Sequence, residues 1–83
     1  MFKLRISSEA EKEIKKIKKL YQDSVIEALK DLEDDPFVGK PLTRELINYF
    51  AYKIGPYRII YRINVKDKTV EIVSAGHRST IYN

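Results

Sequence analysis

The chain has 83 residues, a net charge of +4, no cysteine, no tryptophan and one histidine. That length makes one small domain, spanning 1–83, with a core no larger than one sheet against one or two helices. The composition excludes disulfides, thiolate chemistry and a multi-histidine metal site within one chain.

Phe2, Leu4 and Ile6 alternate with Lys3 and Arg5, so residues 2–6 predict a first strand with one buried face. The same alternation leaves no apolar core of the kind a secretion signal needs. No apolar run approaches the ~18 residues of a membrane span. A soluble, cytoplasmic protein is expected, with no membrane partner. Ser8 with Glu11 fits a capping box, and a helix is predicted from about Glu9 to Leu20. Its apolar stripe is Ala10, Ile14, Ile17 and Tyr21. Its opposite face carries Lys12, Lys15, Lys16, Lys18 and Lys19. Interleaved with Glu11 and Glu13, these lysines read as a solvated surface.

A second helix is predicted over about Ser24–Glu33, with Val25, Ala28, Leu29 and Leu32 inward and Asp34-Asp35-Pro36 as its stop. The short link between the helices predicts an antiparallel pair. Residues 36–49 hold two prolines and a glycine and read as an ordered loop anchored by Phe37, Val38, Leu42 and Leu46. Three strands follow, at about 50–54, 57–65 and 69–75, with turns at Gly55-Pro56 and Lys66-Asp67-Lys68. The order β-α-α-β-β-β predicts an α+β fold, an antiparallel sheet with the helical pair on one face.

Charge is unevenly spread. Residues 1–43 hold nine Lys/Arg and nine Asp/Glu, and residues 44–83 hold seven and three, so the whole excess lies in the strand-rich half. A two-residue loop at Gly55-Pro56 pairs Ile54 with Tyr57 and Lys53 with Arg58. Two cations then sit directly opposite each other, an arrangement that destabilises a sheet and suits an anion. Matching apolar residues across the second turn pairs Val65 with Val70 and Ile63 with Ile72. One face is then apolar (Tyr57, Ile59, Tyr61, Ile63, Val65). The other carries Lys53, Arg58, Arg62 and His77, with Glu71, Val73 and the small Ala51 and Ala75 beside them.

Near the end, His77, Arg78 and Tyr82 supply a base, a phosphate binder and a stacking ring. Cleaving RNA by attack of the 2′-hydroxyl on the adjacent phosphorus needs in-line positioning, stabilisation of a dianionic transition state and two proton transfers. Arg and Lys serve the second requirement, His or Tyr the third. DNA lacks that hydroxyl, so such a site would act on RNA.

Gly39-Lys40-Pro41-Leu42, Tyr52-Lys53-Ile54-Gly55-Pro56-Tyr57-Arg58-Ile59-Ile60-Tyr61, Val70-Glu71-Ile72-Val73, Gly76-His77-Arg78 and Ile81-Tyr82 together resemble the RelE/ParE toxin superfamily. The resemblance covers the whole chain and implies the toxin of a type II toxin–antitoxin pair. Its RelE-like branch implies ribosome-dependent, metal-independent cleavage of mRNA in the A site, with no cofactor. By resemblance, Arg58 stabilises the scissile phosphate, Lys53 stabilises charge beside it, Arg78 is a general acid or phosphate contact, and Tyr82 stacks on the substrate base. His77 is a further acid/base candidate, and Arg44 and Arg62 join Lys53 and Arg58 as candidate RNA contacts. The pairing above puts His77, not Arg78, beside Arg58, whereas the resemblance favours Arg78; a bulge at Gly76 would reconcile them.

Two departures stand out. Ala51 occupies a position where many relatives carry Lys or Arg, and the segment from Arg78 to Tyr82 is shorter than in some active members. The ParE-like branch implies a non-enzymatic inhibitor of DNA gyrase instead, and a third reading is a plain RNA-binding member. Either toxin reading implies an acidic, RelB-like antitoxin in a hetero-oligomer, with mRNA and the ribosome as targets under the first.

Overall fold

The computed structural model describes residues 1–77. Strand β1 is Lys3–Ile6, helix α1 Ser8–Lys15, helix α2 Gln22–Asp34, and strands β2 to β5 are Lys40–Pro41, Tyr49–Ile54, Tyr57–Asn64 and Thr69–His77. Short 3-10 turns occupy Lys19–Tyr21, Pro36–Val38 and Arg44–Leu46. The sheet order is β1-β5-β4-β3-β2. Strands β3 to β5 run antiparallel, as expected; β2, from the segment read as a loop, adds antiparallel to β3, and β1 joins β5 as a parallel edge. Both helices lie on one face, giving the α+β architecture read from the sequence.

The start of α1 is set by Ser7 rather than Ser8. Ser7 lies in extended conformation, its N–H donates to the Ile72 carbonyl at 3.0 Å, and its Oγ accepts from Ala10 N at 3.0 Å. The residue that ends the β1 ladder therefore also caps the helix, leaving no room for a later cap. The helix also ends earlier than its apolar stripe, at Lys15. Lys16 and Ile17 donate three residues back, and the Gln22 side chain donates to the Ile14 and Ile17 carbonyls at 3.1 and 2.8 Å. One amide thus satisfies the Ile17 carbonyl, shares the Ile14 carbonyl with the Ile17 N–H and ties the two helices together. The stripe still packs, with Ala10 and Ile17 buried and Ile14 and Tyr21 against them.

The core joins Ala10, Ile17, Val25, Ala28 and Leu32 to Ile54, Ile59, Tyr61, Val70, Ile72 and Ala75. Tyr61 is its largest fully buried side chain. Its hydroxyl donates to the Pro36 carbonyl at 2.6 Å and accepts from Gly39 N at 3.1 Å, which pins the segment leading into β2. A Cβ at Gly39 would lie 2.1 Å from that oxygen, so only glycine fits. Of the loop anchors expected from sequence, Leu42 is buried, whereas Phe37, Val38 and Leu46 are exposed. The Tyr61 latch and buried Pro36 hold this segment in their place.

The second hairpin departs from the expected pairing. Val65 leaves the strand and is exposed, and Ile63 pairs with Val70, Tyr61 with Ile72 and Arg62 with Glu71. Asn64 causes the change. Its side chain accepts from Asp67 N at 3.0 Å and donates to Asp67 Oδ2 at 3.1 Å, closing a four-residue turn over 65–68. A second irregularity follows. Ile60 pairs with Ser74 while Tyr61 pairs with Ile72, so Val73 is the extra residue of a β-bulge. The bulge expected at Gly76 thus lies three residues earlier. It turns Ala75 and His77 from the open face to the helix side, where Ala75 is buried and its N–H donates to Glu13 Oε1 at 2.9 Å.

Candidate functional site

The first hairpin has the expected register, Ile54 opposite Tyr57 and Lys53 opposite Arg58. Gly55 has φ +54°, as the first central residue of a primed two-residue turn requires, and a Cβ there would meet the Tyr21 ring at 2.8 Å. The turn therefore locks the cationic pair. Lys53 is exposed; Arg58 is half-buried, and its Nη1 donates to its neighbour's carbonyl, Tyr57 O, at 3.4 Å.

Cross-strand partners share a face, so the pairings resolve the open side of the sheet into rows. One row is Lys53, Arg58 and Gly76, across β3, β4 and β5. The next is Lys40, Ala51, Ile60 and Ser74, from β2 to β5. The third is Tyr49, Arg62, Glu71 and Arg5, from β3 to β1. The middle row is floored by a small second apolar cluster of Leu42, Ala51 and Ile60, with Tyr49 and Val73 against it. Ala51 therefore lies beneath Leu42 and leaves no vacant space, contrary to the expectation that it opens room beside the cations. Ala75, the other small residue expected there, is in the core.

The four expected face cations are not equivalent. Lys53 and Arg58 come together. Arg62 stands on the same face but is ion-paired to Glu71 through Nε, with its guanidinium carbon 5.9 Å from the Tyr49 ring centre. The hydrogen bond to Glu71, reinforced by its charge, raises the Arg62 pKa further above its already high ordinary value. His77 is on the other side of the sheet. It lies opposite Tyr57, with ring centres 5.9 Å apart edge to face, and lines a cleft of about 290 Å³ with Glu13 and Lys16. The bulge at Val73 turns it off Arg58's face. Arg44, at φ +59°, lines a hollow of about 380 Å³ that it shares with Lys40 near the β2 edge. Arg78 and Tyr82 fall outside the described residues.

Sequence patterning missed Lys40, Tyr49 and Arg5 in these rows, and it expected Ala75 and His77 where Ser74 and Gly76 stand. A two-residue strand has no period to detect, and a parallel edge strand has no hairpin to set its register. Among the described residues no group of three His, Asp or Glu side chains stands ready to hold a metal, and no helix is long and apolar enough to cross a membrane.

Comparison with known proteins matches residues 4–82 to the family described as ParE toxin of type II toxin-antitoxin system, parDE. Toxin RelG of Mycobacterium tuberculosis is 37% identical over 83 residues, covering 98% of this chain and 95% of that protein. Among solved structures, the toxin–antitoxin complex RelBE2 of Mycobacterium tuberculosis superposes with a TM-score of 0.83 at 35% identity, over 93% of this chain and 98% of that one. The intact RelBE toxin–antitoxin complex of E. coli gives a TM-score of 0.79 at 19% identity, over 93% and 96% of the two chains, a likeness of fold.

Proposed function

This chain belongs to the ParE toxin family of type II toxin–antitoxin systems, within the RelE/ParE superfamily, and from that premise we propose that it is a ribosome-dependent endoribonuclease cutting mRNA in the A site. The observation that carries the reading is the Lys53–Arg58 pair, held face to face by the Gly55-Pro56 turn beside an uncharged floor of Ala51 and Ile60. Two cations placed directly opposite each other present concentrated positive charge to an anion. They therefore bind most strongly where negative charge builds up, as on a phosphate under attack by the neighbouring 2′-hydroxyl.

In this reading Arg58 binds the non-bridging oxygens of the scissile phosphate and Lys53 shares the charge that develops on them. Arg78 serves as general acid or second phosphate contact, and Tyr82 stacks on the substrate base; both roles rest on the motif Gly76-His77-Arg78 and the terminal Ile81-Tyr82. Arg62 contributes to RNA binding only by exchanging Glu71 for a phosphate. His77, on the opposite side of the sheet, is dropped from the catalytic set. The chemistry asks for no metal, because the guanidinium and ammonium groups supply the positive charge that a cation otherwise brings. The partner in the resting cell is a cognate acidic antitoxin, whose carboxylates complement the open face, and the setting is the cytoplasm.

Reconstituted ribosomes programmed with mRNA test this directly. A-site cutting by the wild type that is lost with Arg58→Ala supports the reading. A second reading, inhibition of DNA gyrase, is favoured by the ParE description of the matching family. Blocked supercoiling with intact ribosomal mRNA would establish that reading instead.

A further inference from the structure

We infer that Lys40 is a phosphate-binding residue of the open face, engaging the RNA backbone next to the phosphate held by Arg58. The inference rests on the reading of this face as an RNA surface and extends it to a strand that sequence patterning did not find. Lys40 pairs with Ala51, which pairs with Ile60, so its side chain stands at the β2 end of the uncharged middle row. One row away stand Lys53 and Arg58. Strands lie about 4.8 Å apart and residues two apart on a strand about 6.7 Å. Lys40 Cα is therefore roughly 8 Å from that of Lys53 and roughly 12 Å from that of Arg58, from the same spacings. Long side chains at those separations line one continuous track without meeting on one atom.

The backbone on both sides of Lys40 is fixed. Gly39 N donates to the buried Tyr61 hydroxyl, Pro41 pairs with Phe50, and Leu42 is buried, its N–H donating to the Tyr49 carbonyl at 2.9 Å. Lys40 itself is exposed, and among the described residues the only ion pair joins Arg62 to Glu71. A rigidly presented lysine beside a cationic pair, over a floor of Ala51, Ile60 and Leu42, gives a single strand a backbone contact at the sheet edge and an apolar surface under its bases. Edge lysines also discourage strand-to-strand aggregation, a role that needs no RNA.

A fluorescent oligoribonucleotide with 2′-O-methyl groups keeps every phosphate and resists cutting, and its affinity can be followed against salt. For a single strand, one lost phosphate contact lowers the slope of log K against log salt by about 0.7. Lys40→Ala is expected to lose that increment and Lys40→Arg to keep it. Lys66→Ala, in the distant 65–68 turn, is expected to leave the slope unchanged. A Lys40→Ala slope equal to wild type overturns the inference and leaves the edge-guarding role. Equal losses for Lys40→Ala and Lys66→Ala, or no binding by the wild type, overturn it as well. Ribosomal mRNA left intact by a wild type that still shows the Lys40-dependent slope removes the nuclease reading and leaves this one standing.

Discussion

Tyr61 links the core to the functional face. Its ring stacks on Phe50 with centres 5.5 Å apart, and its hydroxyl fastens Pro36 and Gly39, the residues that lead into Lys40. Burial pushes its phenol up to about 12. A raised value in the fold favours the neutral phenol, so its contribution is complete below the unfolded value near 10 and is lost as pH climbs from about 10 to about 12. Two units correspond to roughly 2–3 kcal/mol. Tyr61→Phe should cost roughly 1–3 kcal/mol at neutral pH, from the unpaired Pro36 carbonyl and Gly39 N–H. It should also remove part of the alkaline loss of stability; urea unfolding at pH 7 and pH 11 measures both. The burial of Tyr61 is legible in the alternation of 57–63, and so is the Lys53–Arg58 pairing, because Gly55-Pro56 leaves a single two-residue loop. The partners of the Tyr61 hydroxyl are not legible, since they lie 22 and 25 residues away in an irregular segment.

At the scale of elements, two short-range devices reset what periodicity predicts. Ser7 caps α1 one residue before the expected position, so Ser7→Ala should lower stability by about 1 kcal/mol while Ser8→Ala is near neutral. Thermal melts of the two single variants decide between them. The Val73 bulge reverses which face the last residues of β5 meet, and together with the shifted 65–68 turn it separates His77 from Arg58. Apolar matching cannot reveal it, because Ile72 before it and Ala75 two residues after it are both apolar and both end in the core. Asn64 is the other unread signal, as its bonds to Asp67 lengthen the turn by side-chain chemistry rather than by hydrophobic period. Entry into β2 depends on Gly39. Gly39→Ala forces a methyl to within 2.1 Å of the Tyr61 oxygen and should destabilise by roughly 1–3 kcal/mol. Part of that cost should vanish when Tyr61→Phe is added, although the ring Cζ still lies 2.9 Å from the methyl, and a double-mutant cycle by urea unfolding measures the coupling.

For the whole molecule, cations collect on the open face of the sheet, and three carboxylates collect in a groove beside α2 that Lys53 also lines. The open face holds Lys40, Lys53, Arg58, Arg62 and Arg5, with Glu71 as its carboxylate among the paired rows. A groove where α2 meets β3 carries Asp23, Glu27 and Asp31, and the Tyr52 hydroxyl donates to Asp31 at 3.0 Å. The net excess in residues 44–83 announces this polarity in the sequence, but not its arrangement, which depends on β1 and β2 as the two sheet edges. Arg58 carries the proposed chemistry, and primer extension on reconstituted, mRNA-programmed ribosomes tests that role most directly. Wild-type protein should cut in the A site, and Arg58→Ala, with an unchanged melting temperature, should cut about 10²–10³-fold more slowly, the scale of losing one preorganised donor at a developing oxyanion. Intact mRNA with folded wild-type protein, or equal cutting by Arg58→Ala, would contradict it.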